Sequence, residues 1–241
     1  SLERSGADVV HISPSHHFPT GTVTPASRRY ELLGWAAKQE GRYIIEDEYD
    51  SEFRLVGNPI PALQSIDASD KVIYMNTFSK SLSSTIRISY MVLPIPLMVR
   101  YNHVLSFYAC TVSNFDQYTL TRFIQEGYLE KHINRMRKFY RNSRDRILGC
   151  IRSHRLYPQV TIKEENAGLH FLMEIDTSYT DREMVDRAAA AGINISSLSQ
   201  YCHGKEQEDS HTLVINYSGI EEDIIEEACD RLLESVVCLT T

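Results

Sequence analysis

Lys80 ends the run Val72-Ile-Tyr-Met-Asn-Thr-Phe-Ser-Lys80, an apolar stretch that closes in a hydroxyl-rich turn. A second apolar run, Tyr43-Ile44-Ile45, ends in Glu46-Asp47-Glu48-Tyr49-Asp50, and Arg87 lies seven residues beyond Lys80. An amine that can form a Schiff base, a carboxylate for a pyridine nitrogen, and hydroxyls with an arginine for a phosphate are the parts that pyridoxal 5'-phosphate (PLP) requires of a protein. A free lysine amine titrates near ~10.4 and is a poor nucleophile at neutral pH until desolvation or a nearby cation lowers that value. Asp47 is suited to keep a pyridine nitrogen protonated, and Tyr49 to hydrogen-bond a ring hydroxyl. Thr77, Ser79 and Arg87 are suited to a phosphate, with Arg87 making the charge-assisted contact. Taken singly, Lys80 reads as a solvated loop lysine and Asp47 as an ordinary strand-end acid. Placed together at the ends of two neighbouring strands they favour a site, because ligands of open α/β sheets bind at strand carboxyl ends.

The elements around these residues alternate strand and helix. Val9 to Ser13 reads as a short buried strand and Pro14 to Gly21 as a turn-rich loop. Thr24 is the expected N-cap of a helix with Pro25 at its first position, Leu32, Leu33, Ala36 and Ala37 on one face, and a stop near Gly41. Tyr43 to Glu48, Lys71 to Asn76 and Arg87 to Leu93 are further strands. Continuous apolar strands between helices predict a largely parallel sheet covered on both faces. Helices are expected over Pro96 to Ser106, Asp116 to Glu126 and Tyr128 to Arg152. The last has Leu129, Ile133, Met136, Tyr140, Ile147 and Ile151 as an apolar stripe. Its remaining surface is basic (Lys131, Arg135, Arg137, Lys138, Arg141, Arg144, Arg146), which reads as a solvated face or an intersubunit contact rather than a nucleic-acid surface.

Past residue 155 the pattern becomes α+β. Strands are expected at Val160 to Lys163, Gly168 to Ile175 and Thr212 to Tyr217, and helices at Asp181 to Ala191 and Glu221 to Val237. Thr180 and Glu183 have the spacing of a capping box. Glu221, Glu222 and Asp223 suit the first turn of the last helix.

The chain has 241 residues, 42% hydrophobic, with a net charge of −7. That length buries a sizeable core, and the acidic balance argues against this segment gripping DNA itself. Five scattered cysteines, Cys110, Cys150, Cys202, Cys229 and Cys238, show no metal-ligand spacing and read as reduced, mostly buried thiols of a cytoplasmic protein. No apolar run is long enough to span a membrane.

The chain resembles the aminotransferase-like domain of MocR/GabR-type bacterial regulators of the GntR family, within the fold-type I PLP proteins. Ser13-Pro-Ser-His-His-Phe-Pro-Thr-Gly21, Tyr43-Ile-Ile-Glu-Asp-Glu-Tyr-Asp-Ser-Glu-Phe53, Ile60-Pro-Ala-Leu-Gln-Ser65 and Val72 to Lys80 carry the likeness. Arg87-Ile-Ser-Tyr-Met-Val-Leu-Pro94, Glu130-Lys-His-Ile-Asn-Arg-Met-Arg-Lys-Phe-Tyr140 and Ala167-Gly-Leu-His170 continue it. The resemblance implies Lys80 as the Schiff-base lysine, Asp47 at the pyridine nitrogen, Tyr49 at the ring hydroxyl and Arg87 at the phosphate. It implies a partial large PLP-binding domain over residues 1–127, an interdomain helix over 128–154 and a small α+β domain over 155–241. It places four strands side by side, the last antiparallel, with two raw edges open to pairing.

The resemblance also implies a C-terminal piece of a longer homodimeric protein that senses an amine or amino acid and reaches DNA only through a preceding winged helix-turn-helix. In that reading the isolated piece binds PLP weakly or not at all. Three departures stand out. Phe18 replaces the asparagine of the usual Asn-Pro-Thr-Gly, shifting work to Tyr49, with His16 and His17 reading slightly better as loop structure than as helpers. Ser84-Thr85 replaces the usual Pro-Gly before the phosphate arginine. Val214 stands where many aminotransferases place an arginine for a substrate carboxylate, with Arg54 or Lys205 as conceivable substitutes. His170 reads as structural, and Ser196 to Ser199 with Tyr201 equally as loop or ligand wall. A sensor that binds without turnover is favoured over a working aminotransferase, in which Lys80 would also shuttle a proton.

Overall fold

A computed structural model of the chain describes residues 2–57, 60–166, 168–202 and 209–238. The chain divides into two compact units. The first comprises residues 1–17, 22–52 and 57–136, and the second residues 18–21, 53–56 and 137–241.

The first unit opens with the short helix α1 (Leu2–Ser5) and strand β1 (Val9–Ile12), followed by helix α2 (Ala26–Ala37) and strand β2 (Tyr43–Glu48). Strand β3 (Val72–Thr77) runs into a one-turn helix α3 (Phe78–Ser81), and strand β4 (Ser89–Val92) precedes helices α4 (Ile95–Leu105) and α5 (Asn114–Gln125). The four strands form one sheet in the order β1-β2-β3-β4. The first three are parallel and β4 is antiparallel, as expected. Val10 lies opposite Ile44, and Ile44 opposite Val72. Trp35, Ala36, Ile44, Leu63 and Val72 make a core against which Leu2, Val10, Ile12, Leu32 and Leu33 pack. That core binds α2 to one sheet face. The expectation of two covered faces is met on one: β4 is exposed along its length, and Met91 is 52% exposed. No residue of α4 or α5 is buried.

Thr24 is not the cap of α2. Pro25 occupies that position, no side chain caps the helix, and the Thr24 carbonyl instead accepts from Arg29 Nε at 3.1 Å.

Arg29 organises the covered face. It is 1% exposed and also donates to the carbonyls of Pro61 and Pro14, each at 2.9 Å. Its Nη1 stands 4.0 Å from Glu46 Oε1. Glu46 accepts from the backbone of Leu63 at 2.6 Å and Gln64 at 2.9 Å, and Ser15 Oγ donates to Glu48 at 2.6 Å. Glu46, Glu48 and Asp50 are all buried. Burial raises both glutamates above the ordinary carboxylate range, Glu48 to about 7. Two buried glutamates sharing one arginine cannot both ionise cheaply in a low dielectric.

The second unit holds the Arg137–Ser153 part of helix α6 (Tyr128–Ser153), strands β5 (Val160–Lys163) and β6 (His170–Ile175), helix α7 (Asp181–Ala190), strands β7 (Ser196–Ser197) and β8 (Thr212–Asn216), and helix α8 (Ile225–Val236). Its antiparallel sheet has the order β5-β6-β8-β7. Phe171, Met173, Met184, Leu213 and Leu233 are completely buried. Thr180 and Glu183 complete the expected capping box. Glu221 to Asp223 lead in through a 3-10 turn, so the first turn of α8 carries Glu226 and Glu227 instead. Two members of the basic run on α6 are structural anchors: Arg144 is buried and donates to the Glu165 carbonyl, and Arg141 donates to the Leu55 carbonyl.

Replacing Arg29 by methionine strands Glu46 without its cation and should cost about 3–5 kcal/mol of unfolding free energy, read from urea midpoints. Lysine should not restore it, because one ammonium cannot span three carbonyls held by a planar fork. Stability should also fall with pH. Glu48 binds its proton more tightly folded than unfolded, so its contribution is complete below the unfolded value of ~4.3 and is lost as pH rises through about 7. Unfolding free energies from urea titrations at pH 5 and pH 8 should differ by roughly 3 kcal/mol in the parent, with Glu46 adding in the same direction. Glu48→Gln should remove most of that slope.

Candidate functional site

Strand β2 alternates, so Ile44, Glu46 and Glu48 enter the buried face while Tyr43, Ile45 and Asp47 stand half-buried on the other. Asp47 pairs with Met75 of the adjacent parallel strand, and Thr77 ends that strand. Asp47, Thr77, Ser79 and Lys80 thus gather at the carboxyl end of the parallel strands, where an open sheet leaves a crevice.

Thr77 is the N-cap of α3, accepting at Oγ1 from the Ser79 backbone at 3.2 Å. Its hydroxyl lies within bonding distance of Ser79 Oγ, at 3.1 Å, and of the Ile88 carbonyl, at 3.3 Å. Ser79 Oγ donates to the Ile86 carbonyl at 3.1 Å. These hydroxyls therefore staple the 82–88 loop against the turn, and Arg87 rides on that loop. Lys80 and Arg87 are exposed. Among the described residues neither makes a hydrogen bond or ion pair, so two cations stand ready for an anion. Ser84 and Thr85, the departure from Pro-Gly, are exposed in this loop, where Ser83 Oγ and Thr85 Oγ1 lie 2.8 Å apart.

Sequence reasoning missed two histidine pairs. His11 Nε2 lies 3.2 Å from Asp47 Oδ2, holding the carboxylate that the cofactor reading places at the pyridine nitrogen. The signal was present in principle: with His11 opposite Ile45, a two-residue period puts Asp47 on the same face. His16 lies in the loop after β1 and is buried there. Its Nδ1 lies 2.8 Å from Asp50 Oδ2 and 3.1 Å from the Tyr49 hydroxyl. No linear signal joins residues so far apart in the chain. Burial, then the carboxylates of Asp50, Glu48 and Asp47, raise the Tyr49 phenol well above its ordinary range, so its hydroxyl keeps its hydrogen.

In the second unit, His170 is 3% exposed and its Nε2 lies 3.2 Å from the Pro19 carbonyl. Phe18 meets His170 and Tyr201 edge to face, at centroid distances of 5.4 and 5.0 Å. Ser196 and Ser197 form β7 and pair with Val214 and Leu213, so half of that serine-rich run is sheet. Val214 is 7% exposed and pairs with Leu172 as well; the position is apolar core. Arg54 is half-buried, while Lys205 and Ala167 lie outside the described residues.

Among the described residues no cysteine is joined in a disulfide, and the expectation of mostly buried thiols is not met: Cys229 is buried, Cys150 and Cys238 are half-buried, and Cys110 and Cys202 are exposed. Among the described residues no cluster could hold a metal ion, and no helix is long and apolar enough to cross a membrane.

The family model for aminotransferase class I and II matches residues 4–232. The uncharacterized HTH-type transcriptional regulator YdeL of Bacillus subtilis (strain 168) is 41% identical over 232 residues, 96% of this chain and 49% of that protein. The probable rhizopine catabolism regulatory protein MocR of Rhizobium meliloti is 32% identical over 237 residues, 98% of this chain and 47% of that protein. The chain thus spans about half the length of the curated relatives it matches. Among solved structures, Pyrococcus horikoshii kynurenine aminotransferase, in complex with PMP, superposes with a TM-score of 0.83 at 28% identity, covering 98% of this chain and 58% of that one. A family match over nearly the whole chain, on the fold-type I architecture of that enzyme, has one reading: the chain belongs to the class I and II aminotransferases and is similar throughout to the aminotransferase-like part of MocR-type regulators.

Proposed function

We propose that this chain is the effector-sensing part of a cytoplasmic, homodimeric, GntR-family transcriptional regulator of MocR type. It binds PLP through Lys80 and responds to an amine or amino acid. DNA is reached through a winged helix-turn-helix elsewhere in the longer protein. The observation that carries this reading is the pair of unpartnered cations, Lys80 and Arg87, beside a histidine-held carboxylate, Asp47, at the carboxyl ends of parallel strands.

The donor set fits PLP group by group. Bound there, PLP would supply an aldehyde for an amine and an electron-withdrawing ring. Lys80 offers the amine. Asp47, oriented by His11, holds a proton at the pyridine nitrogen. Arg87 meets the phosphate with a planar fork, and Thr77 and Ser79 hold the loop that carries it. Tyr49 donates to the ring hydroxyl. Sensing needs only a difference in effector affinity between two states of the protein.

Val214 favours a sensor over an efficient enzyme, because a buried valine cannot orient a substrate carboxylate. A working aminotransferase is the second reading, supported by the likeness to the kynurenine enzyme; there Lys80 would also move the proton at the substrate α carbon.

Borohydride reduction after incubation with PLP, followed by peptide mass mapping, should place a phosphopyridoxyl group on Lys80 alone, and Lys80→Ala should abolish it. Label in the longer protein but not in this chain would mean that other residues complete the site. Absence of a specific label in both would overturn the PLP reading. In the full-length protein Lys80→Ala should leave promoter affinity unchanged without effector and remove the effector response. Sustained turnover with several amino donors would instead favour the enzyme. Asp47→Asn should weaken PLP binding at least about tenfold, measured by fluorescence titration, since it removes a charge-assisted bond to the pyridine nitrogen.

A further inference from the structure

The buried groups left without a role by the proposed site meet at His16. His16 and Asp50 are each 2% exposed, and His16 Nδ1 stands 2.8 Å from Asp50 Oδ2. The same nitrogen stands 3.1 Å from the Tyr49 hydroxyl, with the rings tilted by 31°. In the arrangement where the Asp50 carboxylate accepts, the hydrogen between Asp50 and His16 sits on Nδ1. The Tyr49 oxygen is then a second acceptor of that N–H, in a three-centre bond. A phenol accepting from a nitrogen cannot donate to it as well. Its own hydrogen must point elsewhere, and the raised phenol keeps that hydrogen in place at neutral pH. Tyr49 lies in the bend that directly follows β2, two residues after Asp47, and is half-buried like it.

We propose that His16, fixed by Asp50, is a positioning residue that makes Tyr49 a hydrogen-bond donor aimed at the ring hydroxyl of PLP. This rests on the PLP reading of the site. It gives the Asp50–His16–Tyr49 chain a direction: carboxylate, imidazole N–H, phenol oxygen, phenol hydrogen, ligand. A tyrosine held in this way loses little rotational freedom when the ligand arrives and presents one polarity rather than two. The pair acts through Tyr49 and does not itself touch the ligand.

Two measurements test it. In the chain without PLP, 15N NMR of the His16 ring should show the proton on Nδ1; a ring protonated only on Nε2 overturns the proposal whatever PLP does. In the full-length protein, PLP affinity is followed through a mutant cycle. His16→Leu and Tyr49→Phe should each weaken binding about tenfold, as loss of one hydrogen bond to a charged group does. The double variant should be no worse than either, and independent, additive losses overturn the proposal. His16→Asn, whose amide N–H can occupy the Nδ1 position, should recover most of the affinity lost in His16→Leu. A merely structural role would instead make all His16 variants lose affinity in step with their unfolding midpoints, with no rescue. Wild-type protein that takes no PLP at Lys80 overturns the reading of the site itself. PLP at Lys80 with an additive cycle overturns only the role of His16.

Discussion

The two-residue period of β2, locked between parallel neighbours, is the constraint on which this site depends. Because side chains alternate across a strand, Glu46 and Glu48 are buried while Asp47 between them is not, and the bend that follows buries Asp50 and leaves Tyr49 half-buried. Glu46, Glu48 and Asp50 enter an interior closed by α2 and the 13–17 and 61–64 loops. Asp47 is left half-buried on the other side, near the end of the strand, and Tyr49 in the following bend reaches His16. A one-residue slip in register would reverse this alternation, burying Asp47 and exposing the acids that hold the loops.

The buried set is costly, and its cost is also its use. Arg29 and the backbone amides of Leu63 and Gln64 neutralise or solvate Glu46. Glu48 meets the remaining deficit by holding its proton to about pH 7. Asp50 is engaged by His16, which in turn reaches Tyr49. The same acids that tie the 13–17 loop to the sheet therefore raise the phenol that the half-buried side presents. Stability and site chemistry share one electrostatic network, so perturbing a carboxylate on the covered face is felt at the site.

Much of this was legible in the linear chain because it depends on local rules. Alternation and apolar runs marked β2 and β3, glycine and proline marked the loop between β1 and α2, and Thr180 with Glu183 marked the start of α7. The lysine, aspartate and arginine stood out because few structural roles need all three at strand ends. The failures also have causes. Thr24 looked like a cap because it precedes Pro25, but the helix begins one residue later and Pro25 itself stands at the cap position. Arg144 looked like part of a solvated face, yet it is buried against Glu165. The serine-rich run looked like loop because its two-residue strand depends wholly on pairing with β8.

The sequence by itself determined the element types, the strand-end placement of the reactive groups and the chemistry those groups can perform, since each follows from side-chain type and short-range periodicity. Only the tertiary structure decided which histidine serves which acid. His11 reaches Asp47 through a parallel register, and His16 reaches Asp50 and Tyr49 through a loop folded back on the sheet. Those pairings span more than thirty positions of chain, and no local propensity encodes them. The His16 pairings exist because buried polar groups must be satisfied by whatever the packed chain brings within about 3 Å, whereas the exposed His11–Asp47 pair follows from the register alone.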